Sequence, residues 1–323
     1  MLASGNSSLH PVFFILLGIP GLENYQFWIA LPLCAMYLVA IVGNIIALHL
    51  VRTDHTLHEP MSAFLAMLAI TDLALSSSIQ PKILAILWFH AHEIEYHACL
   101  IQVFFIHAFS SVESGLLMAM NLGCWWLAFD CYVAICDPLR YATILTNSRI
   151  IQMGLLMIIH TIVLIVQLLL LLKPLYFCRA NVLSHSYCYH PDVIKLAFSD
   201  TWANSICGLI DLILTTGVDT PCIVLVYILI IHSVLSTASP EERHKVFNTC
   251  VSHIGAVAVF YIPMMSLSLV HLYGPSAPKV VHSVMANIYL LLPPMLNPII
   301  YSVKTKQICK AIYSVFSLQN KQR

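Results

Sequence analysis

Four acidic side chains stand inside long apolar runs, where acids are costly: Asp72, Glu113, Asp211 and Asp219. Hydrocarbon does not solvate charge, so ionisable groups at membrane depth are functional candidates by default. Asp72 and Glu113, with the amides Asn44 and Asn297 at similar depth, make an oxygen-rich set that suits a hard cation such as sodium. The same residues suit a hydrogen-bond network that fixes helix packing, and both readings stand. Asp211 and Asp219 are eight residues apart. That is close to two helical turns, so both are expected on one inward face. Proton relays also use intramembrane acids, which keeps a transporter built on these four acids among the alternatives. His107 falls about two turns below Cys99, where it would face a cavity near the outer third of a membrane. A ligand contact there and a satisfied interior histidine are both open readings. No nucleophile, metal or phosphate motif stands out, so an enzyme is not expected. The 11 cysteines include no CxxC pair, which leaves a zinc site unsupported.

The elements that would hold these residues are membrane spans. Of 323 residues, 59% are hydrophobic and 9% charged, against about 25% charged in soluble domains. A soluble protein could not hide that much apolar surface. Net charge is zero, so nothing points to nucleic acid. Membrane lipid is the implied solvent and partner. A span needs about 20 mostly apolar residues. Seven stretches qualify, at 28–51, 61–89, 99–136, 150–172, 203–235, 246–271 and 281–303. Their interior prolines, Pro32, Pro81, Pro221, Pro263, Pro293, Pro294 and Pro298, are tolerable because neighbouring helices satisfy the freed backbone groups.

Lysine and arginine set the orientation. Ten (Arg52, Arg140, Arg149, Arg243, Lys245, Lys304, Lys306, Lys310, Lys321 and Arg323) fall on one side, and five (Lys82, Lys173, Arg179, Lys195 and Lys279) on or toward the other. The basic side is cytoplasmic. The expected architecture is therefore an all-α membrane protein: a seven-transmembrane helix bundle with its N-terminus outside and its C-terminus cytoplasmic. It divides into an extracellular segment 1–27, a helical domain 28–303 and a cytoplasmic tail 304–323, with a short amphipathic helix after the seventh span. Residues Met1 to Asn24 lack the order of a signal peptide, and the first span can direct insertion. Asn6-Ser7-Ser8 is a glycosylation sequon on the segment placed outside. The long polar segment from about Lys173 to Trp202 holds Cys178 and Cys188, on the side where Cys99 opens the third span. A bridge from this loop to the helix top would make a lid over a cavity, in an oxidising compartment.

Five strings in order carry a family resemblance: Pro60-Met61, LAITD at Leu68–Asp72, YVAICDPLRY at Tyr132–Tyr141, KVFNTCVSH at Lys245–His253 and PMLNPIIY at Pro294–Tyr301. They resemble the olfactory receptors, which are rhodopsin-like G-protein-coupled receptors. The loop string FCRANVLSHSYCYHPDVIKLA, from Phe177 to Ala197, is similar to the class I, fish-like branch. The resemblance implies a plasma-membrane receptor that binds an odorant under the second outer loop and couples to a stimulatory, olfactory-type G protein. It implies a Cys99–Cys188 disulfide and an interior cation site at Asp72, Glu113 and Asn297, with sodium as the ion and no other cofactor. It implies pocket positions at His107, Ser111, Asn204, Ser268 and His271. It implies coupling and switch positions at Asp130, Cys131, Tyr132, Tyr227 and Tyr301, with Asn297 and Pro298 part of the seventh-helix switch.

Four departures from the family pattern stand out. Cys131 replaces the arginine of the family's Asp-Arg-Tyr, a residue that contacts the sixth helix and the G protein. The spacing from Cys99 to Asp130 is seven residues longer than the family pattern, with Asn121–Leu127 (NLGCWWL) as the extra segment. Seven residues advance a helix by about 10.5 Å with a phase error of about 20°, so the helix could continue with its faces aligned and protrude or slide. Gly123 marks a candidate kink. Phe198 stands where a second loop cysteine is expected, which leaves Cys178 a free thiol. Leu272, beside His271, stands where acid-binding relatives carry arginine, so preference should shift from acids toward neutral or amphipathic odorants. An odorant receptor leads, followed by a receptor-like protein with impaired signalling, then a transporter.

Overall fold

A computed structural model describes residues 11–53, 60–136, 147–177, 181–213, 217, 219–237, 240–273 and 277–304. The sequon at Asn6, Cys178 and the tail helix lie outside the described residues. The helices are α1 (Gln26–Thr53), α2 (Pro60–Phe89), α3 (Tyr96–Cys136), α4 (Asn147–Leu172), a loop helix α5 (His190–Lys195), α6 (Trp202–Leu212), α7 (Asp219–Thr237), α8 (Pro240–Tyr273) and α9 (Lys279–Lys304). They fill the seven expected spans, with α6 and α7 together forming the fifth. Five described stretches are by themselves long and apolar enough to cross a bilayer: Glu23–Thr53, Ala63–Phe89, Tyr96–Met120, His253–Val270 and Lys279–Tyr301. Thr161–Leu172 and Asp219–Leu229 are the shorter apolar helices of the fourth and fifth spans. Along α4, Ile158, Ile159, Ile162, Val163, Val166 and Leu170 all point outward, uncovered. A band of that kind belongs against lipid, since soluble proteins rarely leave one in water.

The third span is one unbroken helix of 41 residues that runs straight through Asn121–Leu127. At 1.5 Å per residue it is about 60 Å long, twice the hydrocarbon thickness. The extra segment therefore continues the helix, as seven residues of nearly matched phase permit. Beyond Met120 the description covers the backbone alone. The fifth span is less regular. Ile213 and Gly217, the described residues between α6 and α7, have π-helical geometry.

The first and last spans meet at a small residue and a proline. A Cβ on Gly43 would lie 2.9 Å from Pro298, so only glycine permits this approach. Pro298 has no N–H, which frees the carbonyl of Pro294 one turn earlier. Asn44 Nδ2 donates to that carbonyl at 2.9 Å and to Ala40 O at 2.9 Å. Asn44 thus repairs the α9 backbone. It does not join the acidic pair, with which its depth had grouped it.

Over one end of the bundle lies a small sheet that hydrophobic periodicity did not announce. Strands β1 (Phe13–Leu16), β2 (Glu93–Glu95) and β3 (Val182–Leu183) pair in the order β2-β1-β3. β1 runs antiparallel to β2 and parallel to β3. Phe14 and Leu16 are fully buried, packed with Tyr96, Phe177, Leu183 and the Cys99–Cys188 pair. Gly18, at φ +79°, turns the chain so that its carbonyl accepts from Ser186 at 3.0 Å and Ser283 at 2.9 Å. One carbonyl near the N-terminus thereby joins the loop to α9.

Candidate ligand-binding site

The loop after α4 closes the bundle as a lid. Cys99 and Cys188 are bonded, with 5.5 Å between their Cα atoms. The Cys188 N–H donates to Gln102 Oε1 at 2.9 Å, and Gln102 Nε2 donates to Ser78 O at 3.1 Å. The loop is thus tied to α3 and, through Gln102, to α2. Tyr187 is buried, and its hydroxyl reaches Ala286 O of α9 at 3.4 Å. The lid then enters α5, whose start is encoded locally by Pro191 at its head and Asp192 in its first turn.

Asp192 organises this turn. Its Oδ2 accepts from the Ser184 N–H at 3.0 Å and from His185 Nδ1. Burial alone would raise its carboxyl, but the hydrogen bond and charge of His185, the Ser184 amide and the Lys195 charge hold it below the ordinary value. His190 goes the opposite way from a surface histidine. Burial, then the neighbouring His107, push its imidazole down from 6.5 to about 3. The His107 and His190 rings meet edge-on at 5.7 Å.

The signs of these two shifts set the lid's pH response. The folded lid keeps His190 neutral while the opened lid lets it bind a proton. Its contribution is complete above pH 6.5 and erodes as pH falls toward 3. That of Asp192 is lost only below the ordinary carboxylate range, near 3.8. Acidification from pH 7.5 to about pH 5 should therefore destabilise the lid by about 2 kcal/mol, through His190. Thermal melting of the purified chain across that range checks this, and His190→Gln should flatten the profile. An unchanged profile in the variant would assign the effect elsewhere.

Beneath the lid is a cavity of about 500 Å³ between α3, α5, α6, α8 and α9. His107, Ser111, Asn204 and Ser268 all line it. His107 Nδ1 donates to Val103 O at 2.9 Å, which turns the other ring nitrogen, in the neutral ring, into an acceptor. Asn204 Nδ2 donates to Leu171 O at 3.2 Å, and Ser268 Oγ to Met264 O at 2.9 Å. The side chain of His271 lies outside the described residues. Reasoning from sequence missed Tyr189, His190, Asp211 and Tyr289 as lining residues.

Ser114 is part of the floor and also of a buried junction. Its Oγ donates to Asp219 Oδ2 at 2.7 Å and lies 2.8 Å from the Tyr261 hydroxyl, which itself donates to Asp219 Oδ2 at 3.1 Å. Spans three, five and six meet in this triangle. Asp211 and Asp219 both face inward, as expected, but to different ends: Asp211 lines the cavity and Asp219 anchors the triangle.

Deeper still, Asn297 Nδ2 donates to Asp72 Oδ1 at 3.3 Å, Asp72 Oδ2 at 3.2 Å and Glu113 Oε1 at 3.1 Å. All three residues are buried. Glu113 Oε2 and Asn297 Oδ1 are enclosed with no hydrogen-bond partner among the described residues. An all-oxygen set with two orphaned acceptors fits a hard monovalent cation. Below it, Tyr301 and Tyr227 are buried in one apolar cluster, and the Tyr301 hydroxyl is 3.4 Å from His253 Nδ1. The side chains of Asp130, Cys131 and Tyr132 lie outside the described residues.

Comparison with known proteins accords with this arrangement. A family model described as "Olfactory receptor" matches residues 33–319. The chain is similar to Olfactory receptor 51F1 of Homo sapiens, 66% identical over 312 residues that cover 97% of this chain and 95% of the relative. It is also similar to Olfactory receptor 52R1 of Homo sapiens, 55% identical over 308 residues covering 95% and 96%. Olfactory receptor 51E2 of Rattus norvegicus is 52% identical over 305 residues covering 94% and 93%. Among solved structures, squid rhodopsin superposes with a TM-score of 0.71 at 16% identity, over 93% of this chain and 87% of that one.

Proposed function

The chain belongs to the olfactory receptor family, and from that premise we propose that it binds small volatile or amphipathic odorants in the cavity under the lid and couples to a stimulatory, olfactory-type G protein. Its relatives are class I, rhodopsin-like receptors of the plasma membrane, and the chain is accordingly a multi-pass odorant-sensing receptor, not an enzyme. The lid end faces outward in this reading, and the basic end meets the G protein. The observation that carries it is the double role of Ser114, which lines the cavity and holds Asp219 and Tyr261 together. A ligand that reaches the floor can favour one arrangement of spans three, five and six over another. It activates only by as much as it prefers the active arrangement.

Sodium is the ion proposed for Asp72, Glu113 and Asn297. It would offset one of the two carboxylate charges in the resting arrangement. A second reading, a receptor with impaired signalling, is favoured by the continuous α3 together with Cys131. A cyclic-AMP reporter with an odorant panel separates the two. We expect a weak response from the parent chain, a several-fold larger one from Cys131→Arg, and a further change when residues 121–127 are removed. A parent response equal to that of both variants sinks the second reading. Ligand binding with no cyclic-AMP response from any of the three sinks the G-protein assignment.

A further inference from the structure

Resting on the cavity reading above, we propose that the preferred ligands are neutral amphiphiles dissolved in the membrane, such as medium-chain alcohols, and that they enter the cavity sideways from the bilayer, through a portal between α4 and α6 at Gln167 and Cys207. Three empty spaces lie in a row across this seam. The outermost is a groove of about 440 Å³ on the lipid face of α4, with Gln167 among its apolar lining. The next is a space of about 50 Å³ between α3, α4 and α6, where Gln167 meets Ile165, Cys207, Ile210 and His107. The innermost is the ligand cavity. Gln167 lines the first two, and His107 and Leu168 line the last two. Each space therefore shares a wall residue with the next.

The depths match on both helices. Gln167 lies five residues before the outer end of α4, and Cys207 five residues after the start of α6. Both are about 7.5 Å inside the helix ends, in the outer half of the hydrocarbon layer. The seam is loose there because its α6 side is small. Cys207 and Gly208 are adjacent, and even a Cβ on Gly208 would find its nearest neighbour, His190, 3.8 Å away. Two side-chain hydrogen bonds cross the seam: Asn204 Nδ2 to Leu171 O at 3.2 Å nearer the lid, and Gln167 Nε2 to Cys207 Sγ at 3.5 Å below it. Sulfur is a weak acceptor, so the lower tie parts readily. Gln167 and Ile210 are exposed outside the seam, and Leu168 is buried behind it.

An amide against hydrocarbon is costly, and a bond to a thiol offsets little of that cost. A hydroxyl arriving from the bilayer is a better partner, because it can accept from Gln167 Nε2 and donate to Gln167 Oε1. Further in stands His107, whose Nδ1 is committed to Val103 O and whose other ring nitrogen, in the neutral ring, accepts the same hydroxyl. The alkyl chain passes against Ile165, Leu168 and Ile210. A carboxylate or ammonium head would have to shed its hydration in hydrocarbon, which bars it from this path.

The test follows hexanol, heptanol, octanol and nonanol binding to the purified full chain in lipid nanodiscs by surface plasmon resonance, with empty nanodiscs as the reference. Each added methylene favours the bilayer by about fourfold. Entry from the bilayer should therefore raise the on-rate, referred to the free aqueous concentration, by at least about tenfold from hexanol to nonanol. Entry from water would leave it within about twofold. Cys207→Phe and, from the other wall, Gln167→Phe plug the portal without lining the cavity. Each should slow nonanol's on-rate and off-rate together by about tenfold or more, with the dissociation constant kept within about twofold. Ile159→Phe, two turns lower on the same outward face of α4, should leave both rates unchanged. On-rates independent of chain length in wild type, or wild-type rates in both plugged variants, overturn the proposal. So does weaker affinity in the plugged variants with the on-rate kept. A Ser111→Trp variant, which fills the cavity, separates the two levels of argument. If it abolishes nonanol binding, the cavity reading stands whatever the route. If nonanol still binds it as before, the cavity reading fails and the portal fails with it.

Discussion

Asn297→Leu should cost about 3–5 kcal/mol of stability, because two buried carboxyl groups lose their donor at about 1–3 kcal/mol each. Asn297 sends one amide nitrogen to three carboxylate oxygens of Asp72 and Glu113. That nitrogen carries only two hydrogens, so among the described residues both acids depend on a single shared donor group. Leucine has a similar volume and no donor. It would leave two carboxyl groups facing each other where Asp72 and Glu113 are 0% exposed. The loss should appear as a lower melting temperature of the purified chain and as poor delivery to the cell surface. Adding Glu113→Gln to the variant removes one acid and restores an amide, so the double variant should recover about half of the loss. Sodium should stabilise Asn297→Leu less than wild type, with choline as the control, because leucine removes one of the three oxygen-bearing side chains proposed to hold the ion. A melting temperature for Asn297→Leu indistinguishable from wild type would show that the acids do not rely on this amide.

The sequence announced this polar core because acids and amides stand out against apolar runs. It did not say which group each would meet. Asn44 and Asn297 look equivalent by depth, yet Asn297 serves the acids and Asn44 serves the carbonyl of Pro294. The deciding fact lies on another helix: Pro298 lacks the N–H that would have used that carbonyl. Proline arithmetic along α9 could have found this pairing, given knowledge that α1 packs there. Asp211 and Asp219 show a similar limit. An eight-residue spacing assumes an undisturbed α-helix, whereas Ile213 and Gly217, which fall between the two acids, have π-helical geometry. The spans themselves were readable to within a few residues, since length and hydropathy are local properties. The lid sheet was not. Its strands are four, three and two residues long, too short for alternation to register, and β1 pairs with segments far away in the chain. The lid's inner surface was missed for the same reason. His190 lines the cavity only because the disulfide, Gln102 and Asp192 fold the loop inward.

Cys188→Ser tests that last dependence, and it should be about as damaging as the loss of Asn297. The bridge closes a loop of 89 residues. A loop of that length corresponds to about 4.5 kcal/mol of constraint on the unfolded chain. The native lid keeps other ties after the bridge is gone: Cys188 N–H to Gln102, Tyr187 to Ala286 and Ser186 to Gly18. The variant should therefore fold with its lid in place but open it far more often, so that bound ligand leaves faster by about tenfold or more, even where spans two to seven stay packed. Gln102→Leu breaks two hydrogen bonds, to Cys188 and to Ser78, but leaves the bridge, and should cost only about 1–3 kcal/mol. Reduction of the wild-type chain should reproduce the Cys188→Ser melting temperature, and the same reductant should leave the variant unchanged. If a wild-type chain shown by thiol titration to be fully reduced still melts where the oxidised one does, the lid is held by its hydrogen bonds and apolar packing alone. Its closure over the cavity would then owe nothing to the bridge.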